Sequence, residues 1–151
     1  MSVFGVFQFQ SFNFPDRYIR HHDFLGELSQ EIVGQEKEFA FKLIDRGHDA
    51  EGRRLVSLGS VFPERHFLRH RDFRLRLERS SGTGDQLFRQ DSTFFLEPGL
   101  ASQDDQNAVS FRSFNFPDRY IRHRNFHLFV EPQDSPNLVP DATFIKTVRI
   151  D

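Results

Sequence analysis

Imidazole and carboxylate recur at matched positions along the chain. His70 and Asp91 lie 21 residues apart, and His123 and Asp141 lie 18 apart. An ionised Asp is a short, strong hydrogen-bond acceptor, and hydrogen bonds to a charged group contribute about 1.5–3 kcal/mol net. An imidazole beside it can fix the orientation of a bound hydroxyl. Phe67 and Tyr120 lie three residues before the two histidines and could supply an apolar wall. A weaker version begins at His21, with Tyr18 three residues before it and Glu36 downstream in place of Asp. The extra methylene of Glu moves its carboxylate, so the first set is expected to be weak, altered or dead. Bland roles stand beside these. A recurring histidine can be a structural hydrogen bonder at a strand end, the Asp can cap a turn through its own backbone, and the aromatics can belong to the core.

Other chemistries fit less well. His21-His22-Asp23 reads like a metal cluster, but neighbouring strand residues point to opposite faces, so the two imidazoles cannot easily chelate together. A glycosidase needs two carboxylates flanking one bond, about 5–9.5 Å apart, and each set offers one. No Gly-rich phosphate loop or nucleophilic Ser motif occurs. Acidic residues interrupt each basic patch (Asp16, Glu64, Asp118) and the net charge is −2, although Arg supplies 17 of 20 basic residues, which gives no pull toward nucleic acid or an anionic membrane. No apolar run is long enough to span a bilayer, and MSVFGVFQFQ lacks the features of a signal peptide. The absence of Cys rules out disulfides and zinc-thiolate sites. No cofactor or metal is implied.

The elements that must position these groups are themselves repeated. SFNFPDRYIRHHDF (11–24) returns as SFNFPDRYIRHRNF (113–126), and a weaker copy, SVFPERHFLRHRDF, occupies 60–73 with its Pro displaced by one position. The second and third copies close with DSTF (91–94) and DATF (141–144), and EKEF (36–39) stands in the first. Within a copy the pattern is strands and turns. In the third, Val109 and Phe111, then 119–123, then Phe126, Leu128 and Val130, then Phe144, Val148 and Ile150 read as four strands, and the FPDR segment as a turn. The 35–43 stretch, nearest to helical, aligns with the DATF segments and is read as strand. With 20 Phe residues the core should be β-rich. Four strands in each of three repeats (about 1–50, 51–104 and 105–151) predict a single all-β domain, residues 1–151, closed as a β-trefoil with pseudo-threefold symmetry.

NFPDRYIRHRNF followed by DATF, together with FLGEL (24–28) and STFFLEPGL (92–100), resembles the arabinose-binding AbfB domain, the family-42 carbohydrate-binding module found beside α-L-arabinofuranosidases. The resemblance implies a β-trefoil that binds terminal arabinofuranose side chains of arabinoxylan or arabinan. It also implies pockets built from the His of the RHR-like segment and the Asp of the DATF-like segment, which are His70, Asp91, His123 and Asp141 here. The expected partner is an arabinose-containing poly- or oligosaccharide, the expected state a monomer, and such relatives are mostly secreted. The alternative is a protein-interaction or structural trefoil that has lost the sugar.

Overall fold

The computed structural model describes residues 2–80 and 84–149. Each repeat contributes four strands: β1 (Val3–Ser11), β2 (Tyr18–His22), β3 (Leu25–Ser29) and β4 (Phe41–His48); β5 (Arg54–Ser60), β6 (His66–Arg71), β7 (Arg74–Arg79) and β8 (Phe94–Pro98); β9 (Ala108–Ser113), β10 (Arg119–Arg124), β11 (His127–Pro132) and β12 (Phe144–Val148). Antiparallel pairing runs β1–β4–β5–β8–β9–β12 and back to β1, which closes a six-stranded barrel without free edges. The hairpins β2–β3, β6–β7 and β10–β11 cap one end. The molecule is a β-trefoil. Ile150 lies outside the described residues.

Alternating Phe residues of the barrel strands fill its interior. Phe9, Phe41, Phe94, Phe111 and Phe144 are fully buried, and Phe9 meets Phe111 edge to face at 5.3 Å. Ile19, Leu28, Leu68, Leu75, Ile121 and Leu128 from the hairpins complete one continuous core.

Each hairpin turns through two residues with positive φ: Asp23 and Phe24 (52° and 61°), Asp72 and Phe73 (52° and 63°), Asn125 and Phe126 (53° and 63°). This is the backbone of a type I′ turn. Asp and Asn tolerate it, but a phenylalanine there costs about 1–2 kcal/mol. The Phe carbonyl of each tip then accepts a backbone hydrogen bond from the next hairpin, as in Leu28 N to Phe126 O at 2.8 Å, so the three tips lock in a ring.

The segments before the fourth strands are helical turns, not strands. A 3-10 turn spans Glu36–Phe39, and short helices α1 (Gln86–Asp91) and α2 (Leu138–Asp141) end at the two aspartates. The DSTF and DATF motifs explain themselves locally. The Thr hydroxyl donates to the carbonyl four residues back (Thr93 to Arg89 at 2.6 Å, Thr143 to Val139 at 2.8 Å) and ends the helix, and the Phe enters the barrel. Ser57 and Ser110 then donate to the carbonyls of Ser92 and Ala142, both at 2.7 Å, which ties each helix end to the neighbouring barrel strand.

Candidate functional site

The predicted imidazole–carboxylate pairs do meet. In repeat three, His123 on β10 lies 3.4 Å from Asp141 at the end of α2. In repeat two, His70 on β6 lies 3.5 Å from Asp91 at the end of α1. A residue of the following repeat joins each pair. His123 Nε2 donates to Asn13 Oδ1 at 2.8 Å, and Asn13 Nδ2 donates to Asp141 Oδ1 at 2.7 Å. The copy in repeat two has His70 to Asn115 at 2.8 Å and Asn115 to Asp91 at 2.8 Å. The SFNF turn presents this amide. Ser11 donates to Asn13 Oδ1 and accepts from the Phe14 N–H, both at 3.1 Å, and Ser113 does the same for Asn115 and Phe116 at 3.2 and 3.1 Å.

The repeated arginines are the scaffold. Buried Arg122 holds the second oxygen of Asp141 and donates to Glu131 at 2.9 Å. Arg69 does the same for Asp91 and, at 2.9 Å, Glu78. Burial alone would lower the Arg69 pKa, but its two carboxylate partners outweigh that and hold it above the usual arginine value. Burial lowers the pKa of His123, offset in part by Asp141. The ring is therefore neutral at pH 7 and can donate to Asn13 through Nε2 only as the Nε2–H tautomer.

Above Asp141 the surface opens into a hollow of ≈ 750 Å³, lined by Asn13, Phe14, Arg122, His123, Phe126 and Glu131, among others. The aromatic wall is Phe14, packed edge-on against both His123 (5.4 Å) and Phe126 (5.5 Å). In repeat two Phe116 plays this part against His70 (5.5 Å) and Phe73 (5.3 Å). A guanidinium covers the outer face of the turn Phe in these two repeats at 3.7 Å: Arg17 on Phe126 and Arg119 on Phe73.

The predicted wall Tyr120 does not line this hollow, and Phe67, its counterpart in repeat two, turns inward as well. Both are buried; Phe67 packs on Phe88 of α1, and Tyr120 on Leu138 of α2 with its hydroxyl 3.1 Å from Glu97. They brace the helices that carry the aspartates. Tyr18 is half-buried and is not among the residues lining the hollow of repeat one.

Repeat one departs further. The carboxylate facing Arg20 belongs to Glu38, whose Oε1 accepts from Arg20 Nε at 2.7 Å and lies 3.3 Å from His22 Nδ1; Glu36, two residues away, is exposed and lines the same hollow without meeting Arg20. His21 is buried where His70 and His123 are, but its Nε2 has no hydrogen-bond partner. Gapless alignment explains this, because Phe62 and Pro63 occupy the places of Asn13 and Phe14. Burial lowers the His21 pKa, with the nearby Glu38 charge opposing.

A closed barrel with a polar cluster at the junctions of its repeats defines the molecule as a β-trefoil with recessed hydrogen-bonding sites. A family model of the α-L-arabinofuranosidase B (AbfB) domain matches residues 7–146, and the chain belongs to that family. α-L-Arabinofuranosidase B of Emericella nidulans is 36% identical over 88 residues, which are 58% of this chain and 16% of that protein, so the chain matches only a small part of that relative's length. Among solved structures, an arabinofuranosidase complexed with arabinofuranosyl-α-1,2-xylobiose superimposes with a TM-score of 0.79 at 20% identity, covering 98% of this chain and 32% of that one. ThreeFoil, a designed threefold-symmetric protein, gives 0.68 at 8% identity and covers 97% and 99%. At these identities the structural likeness establishes the fold.

Proposed function

We propose that the chain is a non-catalytic carbohydrate-binding module whose second- and third-repeat pockets hold terminal arabinofuranose-type side chains of polysaccharides such as arabinoxylan or arabinan. The observation that carries this reading is the Asn13–His123–Asp141 cluster in a recess walled by Phe14 and Phe126. A carboxylate has about four acceptor sites. Arg122 and Asn13 use one on each oxygen of Asp141, and the remainder suit adjacent sugar hydroxyls. The Phe edges suit the C–H face of the ring. The arabinofuranosyl ligand of the structural relative points the same way.

Glu131 also lines the recess. Burial would raise its pKa, but Arg124 and Arg122 outweigh this and hold it below the usual carboxylate value. A glycosidase acid needs the opposite shift, a carboxyl kept protonated near neutral pH. A single pocket should bind with Kd of ~mM to ~µM, or about −4 to −8 kcal/mol, and two pockets engaging one branched polymer should bind more tightly.

Isothermal titration with an arabinoxylan oligosaccharide tests the proposal. Saturable heat in the native protein that is lost in the Asp91→Ala/Asp141→Ala double variant, without release of reducing sugar, is the expected result. Heat that persists in a folded double variant would place binding elsewhere, and no heat with any arabinose-bearing glycan would favour the protein-interaction alternative.

A further inference from the structure

Three replacements converge on the first-repeat hollow, and each uncovers a group that its counterparts keep covered. Phe62 in place of Asn leaves His21 Nε2 without a partner, although the ring is only 6% exposed and lines the hollow. Pro63 in place of Phe removes the edge-on aromatic neighbour that Phe73 and Phe126 have. His66 in place of Arg removes the guanidinium that lies 3.7 Å over each of those rings; the imidazole sits 6.0 Å from Phe24 instead. Phe24 is consequently 59% exposed, against 37% for Phe126, and Phe62 is itself 63% exposed.

The carboxylate differs in the same direction. In repeats two and three both Asp oxygens already accept protein hydrogen bonds. In repeat one Arg20 and His22 both address Oε1 of Glu38, and among the described residues no hydrogen bond reaches Oε2. The hollow, ≈ 790 Å³, brings together a free carboxylate oxygen, an unpartnered buried imidazole nitrogen and two exposed phenyl rings. Two exposed phenyl rings beside unpaired polar groups suit a ligand with both an aromatic part and hydroxyls.

We propose that this hollow is a working site with its own selectivity, for a sugar carrying an aromatic substituent. Sugar hydroxyls bond Glu38 and His21, and the aryl group lies against Phe24 and Phe62. The proposal rests on the carbohydrate-binding reading of the chain but uses a pocket that the second- and third-repeat sites do not share. Of the outcomes expected from the acid substitution alone, a weak, altered or dead first pocket, it selects the altered one.

The test is an NMR titration of ¹⁵N-labelled protein with 4-nitrophenyl α-L-arabinofuranoside and, separately, methyl α-L-arabinofuranoside. Signals of Phe24, Phe62 and Glu38 report repeat one; those of Asn13 and Asn115 report the other two pockets. The expected result is that the aryl glycoside shifts the repeat-one signals with a Kd at least about tenfold lower than the methyl glycoside. Phe62→Ala, at an exposed position, should abolish that preference, and Glu38→Gln should weaken both ligands there. Unmoved repeat-one signals, equal affinities, or a preference that survives Phe62→Ala would overturn the proposal. Shifts at Asn13 and Asn115 alone would overturn it and leave the arabinofuranose reading standing. Shifts in repeat one alone would do the reverse.

Discussion

Replacing Asn13 with Ala should damage one pocket and spare its twin. The amide bridges two groups of repeat three from a strand end of repeat one, donating to Asp141 at 2.7 Å and accepting from His123 at 2.8 Å. Its loss removes a charge-assisted hydrogen bond, worth about 1.5–3 kcal/mol, and orphans a buried imidazole N–H, which costs about 1–3 kcal/mol. Asn13 is half-buried, so water can take over on the Asp141 side, and about 2 kcal/mol overall is the reasonable expectation. For a chain of this size that lowers Tm by roughly 4–8 °C. The third pocket should lose on the order of tenfold in sugar affinity, read from chemical shifts around His123, while the pocket containing Asn115 keeps its own. The Asn13→Ala/Asn115→Ala double variant should be additive within about 0.5 kcal/mol, because the two clusters share no partner. Calorimetric melting and per-site titration check both parts. An unchanged Tm together with unchanged affinity at His123 would refute the idea that the pocket is assembled across repeats.

Two further outcomes follow from the same geometry. Glu38→Gln should cost about 1.5–3 kcal/mol in chemical denaturation by weakening a hydrogen-bonded partner of buried Arg20, whereas exposed Glu36→Gln should stay within about 0.5 kcal/mol; equal effects would contradict Glu38 as the acid that holds Arg20. Stability should also fall as the medium becomes acidic. His21 and His123 have pKa values lowered from 6.5 in the fold, so the unfolded chain binds protons first, and stability present above about pH 6.5 is lost as pH drops toward the folded values. Melting temperatures between pH 8 and pH 5 would show this, and a flat profile would contradict the burial of both rings as neutral groups.

Much of this architecture was legible because the chain states it nearly three times. The repeat paired His70 with Asp91 and His123 with Asp141, which the fold brings together, and the count of four strands per unit led to the barrel. The bridging amide was missed for a geometric reason. Residues were paired within a repeat, but the barrel closes each pocket with the SFNF turn of the next one, so Asn13 meets a residue 128 positions away. A signal was present, since Asn stands at the third position of both strong copies and Phe62 at that position of the weak one. Tyr120 and Phe67 were misread because β6 and β10 are covered on both faces, with burial running through consecutive residues, and alternation cannot then distinguish a pocket wall from a core position. The sequence points to Glu36 because EKEF, like DSTF and DATF, sets a Phe three residues after its acid, but EFAF does so too; the barrel takes Phe41 as the counterpart of Phe94 and Phe144, which makes Glu38 the acid that faces Arg20.

The most direct test is a crystal soaked in an arabinofuranosyl oligosaccharide. The account predicts density for the terminal sugar within hydrogen-bonding distance of Asp141, against the Phe14 edge, and an equivalent sugar beside Asp91 and Phe116. Clear sugar density on another surface, with both recesses holding only solvent, would contradict it.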